Sequence, residues 1–101
     1  MTSAWLRNLT CYRSRKYLEW VRSRACCVTG SYCNVVAHHV RMYGSGGTGI
    51  KPSDYMAVPL STEAHATLHR IGESEFWKDE DPRDIIISLM ATWIAEKGDK
   101  C

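Results

Sequence analysis

Apolar residues recur along the chain at two different periods, and the switches between them mark the elements. Over residues 14–25, Tyr17, Leu18 and Val21, extended by Ala25, share one face at helical spacing, while Arg15, Lys16, Arg22 and Arg24 lie mostly on the other. Ser14 precedes the run as an N-cap, its hydroxyl placed to take an early backbone N–H. Two short β-branched runs follow, Cys26-Cys27-Val28-Thr29-Gly30 and Asn34-Val35-Val36-Ala37-His38, and Gly30-Ser31-Tyr32 supplies a turn between them. After the loop Gly44-Ser45-Gly46-Gly47-Thr48-Gly49, the stretch Ser61-Thr62-Glu63 starts a capped helix that Gly72 ends. A short turn over residues 74–80 holds Phe76 and Trp77. Asp81 then caps a last helix over 82–97, with Pro82 at its first position and Gly98 as its stop. Ile85, Ile86, Leu89, Met90, Trp93 and Ile94 give that helix a broad apolar face, assigned to the core or to a contact between two copies. The segment ahead of Ser14, with Trp5, Leu6 and Leu9, reads as a short helix or an arm. The expected class is α+β: a two-stranded antiparallel hairpin crossed by one helix and flanked by N- and C-terminal helices.

Composition narrows this picture without changing it. A chain of 101 residues, 45% hydrophobic and 24% charged, is expected to form one domain, residues 1–101, with a modest core. No apolar run approaches a membrane span and Met1-Thr2-Ser3-Ala4-Trp5 opens no secretory signal, so a cytoplasmic protein is expected. Five cysteines (Cys11, Cys26, Cys27, Cys33 and Cys101), an odd number with no signal peptide, argue against a disulfide framework. The net charge of +2 conceals an asymmetry: residues 1–41 carry seven Arg and Lys against Glu19 alone, while residues 71–99 are mainly acidic. A basic half ahead of the histidines suits a phosphate-bearing partner; an ordinary solvated helix face is the bland alternative.

All four histidines fall in two places, His38-His39 and His65-Ala66-Thr67-Leu68-His69. A helix projects His65 and His69 from one face, a spacing that lets two imidazoles grip one metal ion. A strand turns His38 and His39 to opposite sides, so one serves a metal while its neighbour faces elsewhere. Phosphodiester hydrolysis needs a deprotonated water, which neutral imidazole can supply near neutral pH, and a divalent ion stabilises the charge that develops on the phosphate oxygens. Three nitrogen ligands leave positions open for phosphate and water. The glycine-rich loop lacks the Gly-Lys-Ser/Thr ending and the strand-to-helix context of a nucleotide cradle, so it is read as a surface loop.

The order of a strand ending in His-His, a loop with Lys51-Pro52-Ser53-Asp54, and a helix bearing His-x-x-x-His resembles the HNH nucleases, including their small phage and prophage members. The resemblance covers roughly residues 24–70. It implies a ββα-metal core in which His38, His65 and His69 bind one divalent ion, His39 is the general base, and Asp54, fifteen residues on, stands where the family has its central Asn. Asp54 either orients the base or binds the metal itself. Arg41 and Lys51 flank the site as phosphate contacts. The implied activity is DNA cleavage, nicking or double-stranded, with manganese, magnesium, nickel or zinc, in a bacterial or phage-infected cell; a homodimer is compatible with the small size. The sequence departs from the family where many members frame the site with Cys-x-x-Cys pairs, since Cys26 and Cys27 lack partners at that spacing and Ser61 and Ala64 replace the second pair. No structural zinc is therefore expected, and Cys26, Cys27 and Cys33 are read as small buried apolar residues. A metal-stabilised nucleic-acid-binding module without catalysis is the alternative function. It needs a closed four-ligand site, and the spare histidine beside three ligands favours the enzyme.

Overall fold

The structure, a computed structural model, describes residues 13–41 and 52–98. Helix α1 (Arg15–Arg22) starts where expected, with the Ser14 hydroxyl accepting the Tyr17 N–H at 3.1 Å, and it buries Tyr17 and Val21. It stops short of the expected residue 25, because Ser23 closes the last turn onto Glu19 and Trp20.

The hairpin forms, but with a different first partner. Strand β1 (Val35–His39) pairs antiparallel with β2 (Ala57–Ser61), setting His38 opposite Val58 and His39 opposite Ala57. The expected strand over residues 26–30 is instead a turn: Gly30, at φ +77°, donates its N–H to the Cys26 carbonyl at 2.8 Å, and the Thr29 N–H points at Cys26 Sγ. β-branched content made that stretch look extended, whereas a glycine in the left-handed region closes it locally. The true partner is masked in sequence by Pro59, which cannot donate to a ladder. Pro59 sits opposite Ala37, and the flanking bonds Val40 N–H to Met56 O (3.0 Å) and Thr62 N–H to Asn34 O (2.9 Å) set the alternation so that this pair falls in a non-hydrogen-bonded position. The missing donor therefore costs the sheet nothing.

Helix α2 (Thr62–Ile71) follows β2 directly, with Ser61 Oγ accepting the Ala64 N–H at 3.1 Å and Gly72, at φ +91°, ending it. That glycine turns the chain into the one-turn helix α3 (Glu73–Phe76), and α4 (Pro82–Gly98) closes the described chain. Cys26, Val40, Val58, Leu60, Ala64, Leu68, Trp77 and Ile86 form one buried cluster between the sheet, α2 and α4. On the α1 side, the Tyr17 ring meets Tyr55 at 4.9 Å and Trp93 at 5.3 Å, with Trp20 beside them. The architecture is thus α+β, with a two-stranded antiparallel sheet and four helices among the described residues. The last helix is apolar on more than its core face: Ile86 is buried, but Ile87 and Ile94 are exposed. Cys26 is buried as expected, whereas Cys27 is half-buried and Cys33 is exposed. No described helix is long and apolar enough to cross a membrane.

Candidate metal centre

Period-two alternation along β1 decides the site. His38 points to the same face as Val36 and Val40, the face covered by α2, and there it meets the two histidines that α2 presents one turn apart. The His38 ring lies 5.1 Å from that of His65 and 6.1 Å from that of His69, and the α2 pair are 4.4 Å apart, centroid to centroid. One donor atom from each of the three lies within 4.8 Å of the others, so the three could hold a metal ion; no other such group occurs among the described residues. His65 Nε2 and His69 Nε2 stand 3.1 Å apart, which requires one to donate and the other to accept. The donor set fits a metal. Burial lowers the proton affinity of both His38 and His65; at His38 the Glu73 carboxylate opposes this and the two α2 histidines add to it, with lowering as the net result, which favours the neutral rings a cation requires.

His39 points the other way. Its Nε2 lies 2.8 Å from Asp54 Oδ1, at the start of a 3-10 turn (Asp54–Met56) ahead of β2. Asp54 is buried and accepts the Ser14 N–H on Oδ2 at 2.6 Å, and Arg13 Nη1 lies 3.9 Å from Oδ1. Burial alone would raise the Asp54 carboxyl, but the hydrogen bonds from His39 and Ser14, with the Arg13 charge, outweigh it and hold the group below its ordinary value. An ionised Asp54 must accept, so it fixes His39 with the proton on Nε2 and the basic lone pair on Nδ1. Asp54 contacts His39 and is not among the residues gathered at the three-histidine cluster.

Both halves open onto one cleft of about 380 Å³ at the edge of β1 that no other described strand pairs with, lined by His38, His39, His65 and His69 together with Arg41 and Glu73. Arg41, which also lines this cleft, is exposed. Lys51 and the glycine-rich loop lie outside the described residues, as do Trp5, Cys11 and Cys101. Cys27 is disfavoured as a thiol nucleophile, since burial, with the charges of Cys26 and Glu80, pushes its thiol up to about 12.

One site residue was not anticipated. Glu73 Oε2 stands 3.5 Å from His38 Nε2, while Trp77 Nε1 donates to the same oxygen at 3.1 Å and the Arg41 backbone N–H donates to Oε1 at 2.8 Å. In sequence Glu73 is one acid among many in the C-terminal third. Only its position directly after the glycine that ends the histidine helix sets it apart.

Residues 7–81 match the profile of a family described as a protein of unknown function (DUF968). No curated protein and no solved structure matches the chain.

Proposed function

The chain belongs to the DUF968 family, and we propose that it is a divalent-metal-dependent DNA endonuclease that hydrolyses phosphodiester bonds with one ion and a histidine base. The observation that carries this reading is the junction of two chemistries in one cleft: three imidazole donors within 4.8 Å of one another, and beside them a fourth imidazole held by a buried carboxylate at 2.8 Å. A structural metal site has no use for the second feature.

His38, His65 and His69 would hold the ion, which when bound supplies Lewis acidity to the phosphate oxygens on which negative charge develops. Everything else belongs to the chain. His39 takes a proton from the attacking water at Nδ1 as the new P–O bond forms, while the scissile P–O bond breaks and its leaving oxygen takes a proton from solvent. Asp54 retains the Nε2–H and stabilises the imidazolium so produced, as an orienting carboxylate does in other base–histidine pairs. The exposed Arg41 offers a forked cation to the backbone of the nucleic acid, which is the charge such a partner requires. The three imidazoles accept zinc or nickel most readily, and manganese or magnesium where those are abundant.

The test is cleavage of supercoiled plasmid by metal-stripped protein resupplied with manganese, magnesium, nickel or zinc, run beside His39→Ala. Metal-dependent relaxation lost in the variant is expected, and the ratio of open-circle to linear product separates nicking from double-strand cutting. DNA retained without cleavage under every metal would replace the enzyme by a binding module.

A further inference from the structure

His38 presents an anomaly that the three-histidine cluster does not resolve. Its Nε2 is sealed from solvent and has no hydrogen-bond partner among the described residues, in a side chain only 7% exposed. A buried ring N–H left unsatisfied costs about 1–3 kcal/mol. The charged group facing that atom is Glu73, 3.5 Å away.

Glu73 is built to stay there. Gly72 turns the chain at φ +91° straight out of the histidine helix, so α3 begins beside the ring of His38. Arg41, two residues beyond the histidine pair, donates its backbone N–H to Oε1 and so ties the carboxylate to the strand that carries His38. Trp77, 4% exposed in the core, donates to Oε2. Each carboxylate oxygen has two acceptor sites, so Oε2 can take a second donor beside Trp77. Glu73 also falls outside the set of donor atoms that lie within 4.8 Å of one another, so it is not one of the three gathered ligands.

We propose that Glu73 is the positioning residue of the metal centre: its carboxylate accepts the Nε2–H of His38, which fixes that ring in one tautomer and turns the Nδ1 lone pair to the ion. Metal-binding imidazoles commonly donate their second ring N–H to a carboxylate, which sets the orientation and raises the basicity of the ligand. Here that role falls to a residue outside the His-His and His-x-x-x-His pattern. The inference rests on the reading of His38, His65 and His69 as metal ligands.

The experiment follows the histidine ring nitrogens of the full chain by long-range proton–nitrogen NMR, without metal and with zinc, alongside calorimetric zinc titration of the wild type and Glu73→Ala. The expected results are a His38 ring protonated at Nε2 in the metal-free protein, zinc on Nδ1 in the loaded one, and about 10–100-fold weaker zinc binding by the variant. Zinc on His38 Nε2 overturns the assignment in the wild type alone, whether or not the variant folds. So does a folded Glu73→Ala protein with unchanged zinc affinity and an unchanged His38 tautomer. If the wild type binds no zinc, the metal-centre reading itself falls; the metal-free tautomer of His38 still reports separately on its hold by Glu73.

Discussion

Asp54→Asn changes one oxygen to nitrogen and is expected to disable the base while leaving the fold recognisable. The carboxylate accepts two donors on two different oxygens, His39 Nε2–H at 2.8 Å and the Ser14 N–H at 2.6 Å. An asparagine has one acceptor and one NH2, so it satisfies only one of them. The Ser14 N–H is a backbone group at the start of α1 and cannot become an acceptor, whereas His39 can by moving its proton. The amide oxygen therefore goes to Ser14 and the NH2 faces Nε2, which must then carry the lone pair. Nδ1 becomes N–H and can no longer take a proton from water. A general base locked in the wrong tautomer costs on the order of 10⁴-fold in rate. Replacing a charge-assisted bond by a neutral one costs about 1–2 kcal/mol of stability besides. The linkage also has a sign. The Asp54 carboxyl is held below its ordinary value when folded, so its contribution is present above the unfolded pKa and is lost as pH falls through the folded one. The variant should lack that acid limb. Plasmid relaxation gives the rate, and denaturant unfolding at several pH values gives the stability. Cleavage within about tenfold of wild type would refute the tautomer argument, since it would put the amide oxygen on His39 and leave Ser14 unpaired.

Other outcomes follow from the same geometry. His39→Ala should lower cleavage by about 10²–10⁴-fold with metal binding kept; full activity in that variant would remove His39 as the base. His65→Ala deletes one of three donors and should abolish tight metal binding in a calorimetric titration, and an unchanged isotherm would strike it from the ligand set. Leu68, 2% exposed beneath the two α2 histidines, should cost about 2–5 kcal/mol as Leu68→Ala in a denaturant melt. His38 and His65 are lowered from 6.5 by burial, so the unfolded chain takes up their protons first as pH falls. Metal-free protein should accordingly lose stability as pH drops through the ordinary imidazole range; a flat profile there would contradict the assigned burial.

How much of this could be read from the chain depends on how local each cause is. The histidine helix was legible because its signals are short-range: Ser61 as cap, Gly72 as stop and two histidines four residues apart. The last helix was legible for the same reason, with the Asp81 carboxylate ahead of Pro82 accepting the Arg83 N–H at 2.9 Å. The class α+β survived an error in which strand pairs with β1. Proline lowers the strand reading of residues 57–61, and only the register with Ala37, a long-range fact, makes Pro59 harmless. The hold on Asp54 was similarly out of reach, since its donor Ser14 lies 40 residues away. Glu73 could not be singled out because its meaning comes from a glycine turn and from two donors on separate elements, Arg41 at the end of β1 and Trp77 in the core.

The adjacency of His38 and His39 is the economy of the site. Consecutive residues of a strand face opposite layers, so two neighbours in sequence are fixed by two independent sets of contacts. His38 is set by α2 and Glu73, and its surroundings are apolar core, two imidazoles and the Glu73 carboxylate. His39 is set by Asp54, which is itself set by the first backbone N–H of α1 and by Arg13. Neither arrangement could hold both rings: a carboxylate as close to His38 as Asp54 is to His39, but facing the ion, would compete as a ligand, and a metal on His39 would consume the lone pair the base needs. The strand separates the two electrostatic environments by one peptide unit, and its edge away from β2 lets both rings line the same cleft. Among the described residues no further strand covers that edge, which is the access that the proposed cleavage of a polymer would use.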